Sequence, residues 1–298
     1  MSSANKSARL RWGVEQRFEF IEFRLFWEGG INRSELIDFF GISVPQASKD
    51  LSKYQEIAPA NLEYDRSQKR YLPSKSFKPV YFRPDATRYL SQLNSISRQI
   101  LDQTESWSSF LPQFEAVPLP RRNVDAGILR LVLGAVRTKG AIEIEYQSMS
   151  ERSSGPLYRW ISPHAFGFDG MRWHTRAFCH IDKQFKDFVL SRILGVRAHG
   201  DSIVSAEKDW AWNKQVPVLL EPHPELTENK RAVVALDYGM ENNQVELQVR
   251  ASMLNYFLKM LNLNSNDRGR TPLQQHIILA NRELIEQVMS EAREMELT

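Results

Sequence analysis

The middle of the chain contains side chains whose chemistry suits an anionic ligand. Tyr146 and Ser148 are two residues apart at the end of an alternating stretch, so they share one face of a predicted strand. His164, Arg176 and Arg192 lie in or beside further alternating stretches. If these strands are neighbours, two hydroxyls, an imidazole and two guanidiniums converge, and the guanidiniums repel each other unless an anion lies between them. Because guanidinium forks pair with phosphate oxygens, the pattern predicts a phosphate or nucleotide receptor.

The sequence lacks the common catalytic and metal-binding patterns. Cys179 and His180 are neighbours on a predicted strand and point to opposite faces, which excludes a Cys–His nucleophile pair. The 6 histidines form no HExxH spacing, and no GxGxxG or GxxxxGK[ST] motif is present. The single cysteine can form neither an internal disulfide nor a thiolate zinc site. We therefore predict no enzymatic activity, no metal and no cofactor.

A second polar set lies near the N-terminus, on a predicted helix-turn-helix. The helical stretches Leu36–Phe40 and Val44–Gln55 are separated only by Gly41, Ile42 and Ser43. Ser43 and the glutamine three residues later match a capping box, in which the glutamine side chain bonds back to the N-cap.

The second of these helices is predicted to have one buried and one exposed face. Ala47, Leu51 and Tyr54 share the apolar face. The opposite face suits the major groove of DNA, since Gln pairs with adenine, Ser with bases or phosphates, and Lys with guanine or phosphates. The predicted DNA contacts here are Ser43, Gln46, Ser48, Lys49, Ser52 and Lys53.

A hairpin follows the helix-turn-helix. Leu62–Tyr64 and Arg70–Leu72 alternate around a polar turn, which is the layout of a winged helix. The wing cations Arg66, Lys69 and Arg70 are predicted to contact the flanking DNA backbone or minor groove. The alternative is a winged helix used only for protein contacts, with its lysines on a solvated face.

The rest of the chain is predicted to mix helices and short strands. Helices are predicted over Pro84–Gln103 and Asn123–Lys139, and strands over Ile142–Tyr146, Arg159–Ile161, Met171–Phe178 and Phe185–Leu190. Further strands are predicted over Arg231–Leu236 and Val245–Val249, with helices over Met253–Leu261 and Thr271–Met289.

Composition places the chain among ordinary globular proteins. Its 298 residues favour two domains, or three small ones, and 42% are hydrophobic and 25% charged. Charges interrupt every apolar run, and the N-terminus lacks a signal peptide, so we expect no membrane contact and a cytoplasmic location. Residues 121–200 carry thirteen Lys and Arg against seven Asp and Glu, which suits an anionic partner.

Four stretches of the middle region resemble the WYL domain of bacterial transcription regulators. They are Ile144–Tyr146, Arg159–Pro163, Gly170–His180 and Phe188–Ile193. Together with the winged helix before them and the extension after them, they resemble phage-defence regulators of the BrxR and CapW type. The name-giving triplet is here Trp173-His174-Thr175, so only its tryptophan is kept, while Arg176 and Arg192 match positions associated with ligand contact in such domains.

The resemblance implies an α+β protein made of four parts. These are a winged helix-turn-helix over residues 1–78, a helical linker and dimerisation arm over 79–138, an Sm-like β-barrel WYL domain over 139–210, and a small α+β extension of the WCX type over 211–298. The predicted ligand contacts in the barrel are Tyr146, Ser148, His164, Trp173, Arg176 and Arg192.

Three functions are compatible with these features. The first is a homodimeric repressor of a phage-defence operon that binds an inverted-repeat operator in double-stranded DNA. A phosphate-bearing small molecule or a nucleic acid in the WYL domain would control its DNA affinity. The second is a transcription activator whose barrel itself binds single-stranded nucleic acid, with bases stacking on Trp173. A ligand-sensing interaction module without a DNA role is a third alternative.

Overall fold

Two units make up the computed structural model, which describes residues 3–120, 122–149, 155–264 and 270–297. Unit 1 comprises Met1–Pro118 and unit 2 comprises Leu119–Thr298. Both units contain helices and antiparallel strands, which confirms the predicted α+β class. None of the helices in the described ranges combines the length and apolar composition that crossing a bilayer requires.

Unit 1 contains the predicted winged helix. Its first elements are α1 (Ser3–Glu28), α2 (Arg33–Phe40), α3 (Val44–Ile57), β1 (Leu62–Asp65) and β2 (Arg70–Pro73). The two strands pair antiparallel, and Ile31 exchanges backbone hydrogen bonds with Tyr71 beside them, at 2.7 and 2.8 Å. Ala47, Leu51 and Tyr54 are at most 2% exposed, so the predicted buried face of α3 is confirmed.

The caps of α2 and α3 explain the tight turn between these helices. Asn32 and Glu35 form a complete capping box at the start of α2, and Gly41 ends α2 in the left-handed conformation, at φ 60°. Ser43 caps α3 by accepting a hydrogen bond from the backbone N–H of Gln46 at 3.3 Å. The predicted second half of this capping box is wrong, because the Gln46 side chain bonds Asp50 instead.

A buried carboxylate joins three segments of unit 1. Glu22 of α1 is fully buried, and its oxygens accept hydrogen bonds from the Tyr54 hydroxyl at 2.7 Å and from the backbone N–H groups of Val80, Tyr81 and Phe82 at 2.6–2.8 Å. A buried carboxylate needs such partners, because it has lost its hydration. The chain after the wing is thereby fixed to α1 and α3.

The same chain returns to the end of α1 after helix α4 (Ala86–Ser97). Glu28 accepts hydrogen bonds from the hydroxyls of Ser108 and Ser109, at 2.8 and 2.6 Å. Arg24, itself 3% exposed, donates to the Trp107 carbonyl at 3.0 Å and pairs with Glu28. This part of the predicted linker arm therefore packs on the winged helix.

Unit 2 begins with α5 and an antiparallel sheet. Its first elements are α5 (Ala126–Thr138), β3 (Gly140–Tyr146), β4 (Leu157–Phe168), β5 (Trp173–Cys179), β6 (Gln184–Val189) and β7 (Ile193–Asp201). The strand order is β6-β5-β4-β3-β7, and α5 buries Val132 and Ala135 against the sheet. A closed barrel would require β6 to pair with β7, but in the described chain β6 pairs only with β5 and β7 only with β3. The sheet is therefore open, which corrects the predicted barrel.

A smaller α+β region completes unit 2. Its elements are α6 (Trp210–Asn213), β8 (Gln215–Pro222), α7 (Glu228–Asp237), β9 (Val245–Arg250), α8 (Leu254–Met260), β10 (Ile277–Leu279) and α9 (Arg282–Leu297). The sheet order is β10-β8-β9.

Two predicted elements of this region are wrong. The strand predicted over Arg231–Leu236 lies in α7, where helix-favouring Ala and Leu residues and an acidic first turn outweigh two adjacent valines. The helix predicted over Thr271–Met289 begins only at Arg282, because Ile277–Leu279 pairs with β8. Pairing with a distant strand overrode the local pattern there.

We predict that Glu22→Ala lowers the free energy of unfolding of unit 1 by roughly 3 kcal/mol or more, since each buried donor left without an acceptor costs about 1–3 kcal/mol. Native-state hydrogen exchange of α3 amides in the full chain measures this change. The control is Glu19→Ala, which removes a partly exposed ion pair to Arg88 at 3.7 Å and should cost about 1 kcal/mol or less. Equal losses in the two variants would contradict the role of Glu22.

Candidate functional site

The outer face of α3 carries most of the predicted DNA contacts. Ser43, Lys49, Ser52 and Lys53 are exposed, while Gln46 and Ser48 are partly buried. The Ser48 hydroxyl donates to the Val44 carbonyl at 3.0 Å and accepts from the Arg33 guanidinium at 2.9 Å. Sequence reasoning missed Arg33, an exposed cation beside this face. The sequence did carry a signal for Arg33, because the residue directly after the Asn32 cap is the first residue of α2.

The wing places two of its three predicted cations in solvent. Arg66 and Lys69 are exposed in the turn, where Asp65 accepts hydrogen bonds from the backbone N–H groups of Ser67 and Gln68 at 2.7 and 3.0 Å. Asp65 also accepts a hydrogen bond from the Ser67 hydroxyl. This hydroxyl has the largest effect on the pKa of Asp65, and together with the two N–H groups it holds that pKa below its usual value.

Arg70, the third wing cation, is held inside unit 1. Its guanidinium donates to the Gly30 carbonyl at 2.6 Å. A Cβ at Gly30 would lie 2.9 Å from the Arg70 Nε and 2.8 Å from the Tyr71 carbonyl oxygen, so only glycine lets the wing pack this closely on the end of α1. Arg70 therefore fixes the base of the wing.

A cavity of about 480 Å³ in unit 2 brings together four of the six predicted ligand contacts, Tyr146, Ser148, Arg176 and Arg192. Its other lining residues are Met149, Arg159, Lys186, Asp187, Phe188 and Tyr256. His164 and Trp173 are not among the lining residues. Trp173 is 51% exposed and packs on Phe168, with ring centroids 4.9 Å apart.

Sequence reasoning missed two cations of this cavity, Arg159 and Lys186. Both lie near Asp182, at 3.7 Å from the Arg159 guanidinium and 2.9 Å from the Lys186 ammonium. The alternation of β6 held a signal for Lys186, because it is two residues from Phe188 and shares its face. Among the residues that the structure describes, four cations therefore line the cavity, against one acidic residue, Asp187.

Arg176 already has carboxylate partners, which corrects the prediction that an anion is needed to hold the two arginines together. Its Nε and Nη2 donate to Asp209 at 2.8 and 3.1 Å, and its Nη1 lies 3.5 Å from Asp187. The Arg192 side chain, by contrast, has neither a hydrogen bond nor an ion pair within the described part of the chain. Arg192 is therefore the cation most available to a ligand.

Asp209 explains the position of His164. This carboxylate, 1% exposed, accepts from the His164 imidazole at 2.9 Å and from the backbone N–H of Trp212 at 3.1 Å, in addition to Arg176. Burial acts to raise the pKa of Asp209, but the hydrogen bonds from His164 and Arg176 outweigh it and hold the pKa below its usual value. His164 thus belongs to a buried network behind the cavity.

Asp187 carries a carboxylate that opposes an anion in the cavity. Its carboxylate lies 3.3 Å from the Tyr256 hydroxyl, and burial raises its pKa above the usual value despite the nearby Arg176. Burial and the Asp187 charge likewise raise the pKa of Tyr256. The cavity can accept an anion at its cations and a hydrogen-bond donor at Asp187.

Comparison with known families assigns three segments of the chain to domain types. Residues 13–95 match the BrxR transcriptional regulator winged helix-turn-helix domain, residues 127–198 the WYL domain, and residues 215–285 the BrxR transcriptional regulator C-terminal dimerization domain. Fold and matches together define the class of winged-helix, WYL-domain transcriptional regulators, and they confirm the predicted family resemblance.

Curated relatives cover nearly the whole chain. The DNA-binding transcriptional repressor CapW of Stenotrophomonas maltophilia is 43% identical over 97% of this chain and 96% of its own length. CapW of Pseudomonas aeruginosa is 41% identical over 94% of this chain and 93% of its own length, and CapW of Escherichia coli strain KTE188 is 40% identical over 92% and 91%. The chain therefore belongs to the CapW family, whose members are regulators rather than enzymes, as predicted.

Solved structures show a more distant likeness. The proteasome accessory factor B/C of Arthrobacter aurescens aligns over 95% of this chain at 15% identity and a TM-score of 0.25, and the chain spans 48% of that protein's length.

We predict that sulfate binds the cavity more tightly as the pH falls through the raised pKa of Asp187, because the carboxylate loses its negative charge there. Sulfate keeps its own charge over this range, and calorimetric titration of the full chain at several pH values measures its affinity. Removing one nearby like charge is worth about 1 kcal/mol, or roughly fivefold in affinity. Asp187→Asn should bind sulfate tightly at every pH, whereas the same pH dependence in that variant would contradict the assignment.

Proposed function

We propose that the protein is a homodimeric transcriptional repressor that acts in the cytoplasm and binds an inverted-repeat operator in double-stranded DNA. The observation that carries this proposal is the exposed polar and basic face of α3, at the position of the recognition helix in a winged helix. The match of residues 215–285 to a dimerization domain supports one recognition helix per half-site. The repressor names of the relatives support the direction of regulation.

In this proposal the two kinds of contact have different tasks. Lys49 and Lys53 of α3, with Arg66 and Lys69 of the wing, neutralise phosphates and supply affinity. Gln46, with Ser48 and Lys49, contacts base edges and supplies selectivity. Arg70 contributes indirectly, since its bond to Gly30 sets the position of the wing.

The finer part of the proposal concerns control by a ligand. The cavity of unit 2 binds a phosphate-bearing small molecule or a nucleic acid, and the resemblance to phage-defence regulators suggests an operon of that kind as the target. A ligand changes DNA affinity only if it binds two dimer arrangements unequally. The Arg176–Asp209 pair offers a physical route, because Asp209 caps α6, directly before the region that matches the dimerization domain.

A second candidate function is an activator that binds single-stranded nucleic acid in unit 2. The exposed ring pair of Phe168 and Trp173, 44% and 51% exposed, favours it, because bases stack on such surfaces. Trp173→Ala separates the two functions. It should leave operator binding unchanged in the repressor and abolish binding of a single strand in the activator.

We predict that Lys49→Ala and Lys53→Ala each weaken operator binding and reduce the slope of log affinity against log salt by about 0.9 for a lost phosphate contact. Gel shifts of the full chain on its own upstream region, at several salt concentrations, measure this slope. Lys230→Ala, which removes an exposed lysine from α7 in unit 2, is the control and should keep the wild-type slope. Unchanged slopes in both α3 variants would refute the placement of α3 in the groove.

We predict that Arg192→Ala abolishes the response to inducing conditions and leaves operator binding of the ligand-free protein nearly unchanged. Arg192 is a better test than Arg176, because removing Arg176 leaves the buried Asp209 without the guanidinium that donates two hydrogen bonds to it. A reporter gene under the operator measures the response in cells. If Arg192→Ala lost operator binding while it stayed folded, the arginine would contact DNA directly. An unchanged response would remove the cavity as the regulatory site.

A further inference from the structure

Gln46 lies in the first turn of α3 with one side of its amide already engaged. Its Nε2 donates to the Asp50 Oδ1 at 2.9 Å, one helical turn later. Within the described part of the chain, its Oε1 and its second N–H make no hydrogen bond, and its side chain is only partly buried. The free half of the amide is thus one acceptor beside one donor.

Asp50 is held rigidly from its other side by α1. It is 1% exposed, and it accepts from the Arg17 Nε at 2.6 Å and from the Arg17 Nη2 at 3.3 Å. A carboxylate paired with a guanidinium offers only acceptors to its neighbours. Asp50 can therefore bond the amide nitrogen of Gln46 but not its oxygen, and this fixes which way round the amide stands.

The orientation of the amide decides which purine it can recognise. Adenine presents an N7 acceptor and an N6 donor in the major groove, which match one N–H and the oxygen of a glutamine amide. Guanine presents two acceptors, N7 and O6, and offers no donor to the glutamine oxygen there. An amide whose nitrogen is held by Asp50 favours adenine, whereas an amide free to turn can place both of its N–H groups outward.

We propose that Arg17 and Asp50 are positioning residues for sequence recognition: their ion pair locks the Gln46 amide, so that α3 selects adenine over guanine at one base pair of each half-site. The proposal rests on the proposed function, in which α3 lies in the major groove. It assigns selectivity to two residues that need not touch DNA themselves.

The test measures base preference rather than affinity alone. Full-length protein is titrated against duplexes that carry each of the four base pairs at every position of the footprinted site. For the wild type we expect one position per half-site at which adenine is preferred over guanine by roughly 5- to 150-fold, the range of a good bidentate contact. Gln46→Ala should lose the preference at this position alone. Gln55→Ala, an exposed glutamine nine residues further along α3, should keep it.

Asp50→Asn is the decisive variant, because its amide can bond either the nitrogen or the oxygen of Gln46. We expect its adenine preference at that position to fall below about threefold, within the range expected once a bidentate contact is lost. Preferences at all other positions, and the salt slope, should stay as in the wild type. A merely structural role of Asp50 would weaken binding to all duplexes equally. If Asp50→Asn does not fold, the double variant Arg17→Gln/Asp50→Asn avoids an unpaired guanidinium and should show the same loss.

Two results would overturn the proposal. One is an unchanged preference for adenine over guanine in a folded Asp50 variant. The other is a Gln46→Ala protein that binds with the preferences of the Gln55→Ala control. Failure of the proposed function looks different, because the wild type would then show no sequence-dependent binding, and the Lys49 and Lys53 variants would keep its salt slope.

Discussion

The Glu22 carboxylate sits inside unit 1 without solvent, and its need for hydrogen-bond donors organises the elements around it. The donors come from α3, through Tyr54, and from the chain after the wing, through three consecutive N–H groups. Asp50 of α3 is a second buried carboxylate, and the guanidinium of Arg17 in α1 pairs with it. Helix α3 is thus fixed to α1 at two buried carboxylates, and its outer face is exposed.

In unit 2, a buried carboxylate likewise connects two elements, the cavity and the start of the C-terminal region. Arg176 on β5 lines the cavity, yet its guanidinium is neutralised by Asp209, which caps α6. Removing one member of such a buried pair leaves the other charge uncompensated, at a cost of about 3–5 kcal/mol. Under the proposed ligand control, a ligand that pairs with Arg176 would therefore also affect Asp209 at the start of the C-terminal region. Arg192 lacks such a partner in the described chain, so an anion that pairs with it would break no buried ion pair.

Patterns local in sequence predicted much of this structure, and contacts between distant residues account for what they missed. The caps at Asn32, Gly41 and Ser43 and the buried stripe of α3 follow from local chemistry. The alternating pattern correctly predicted that Tyr146, Ser148 and two arginines line one cavity. It could not predict that Asp209, which is distant in sequence, pairs with Arg176 and accepts a hydrogen bond from His164. The open sheet and β10 likewise depend on strand pairing, which alternation alone does not specify.

In the proposed function, two copies of α3 bind the two halves of one operator. Hydroxyl-radical footprinting of the full chain on its own upstream region tests this arrangement. We expect two protected patches of inverted sequence, with centres about 34 Å or a multiple of that distance apart. Both patches should weaken together when Lys49 and Lys53 are replaced by alanine. A single patch without symmetry, or protection that persists without these lysines, would contradict binding by two copies of α3.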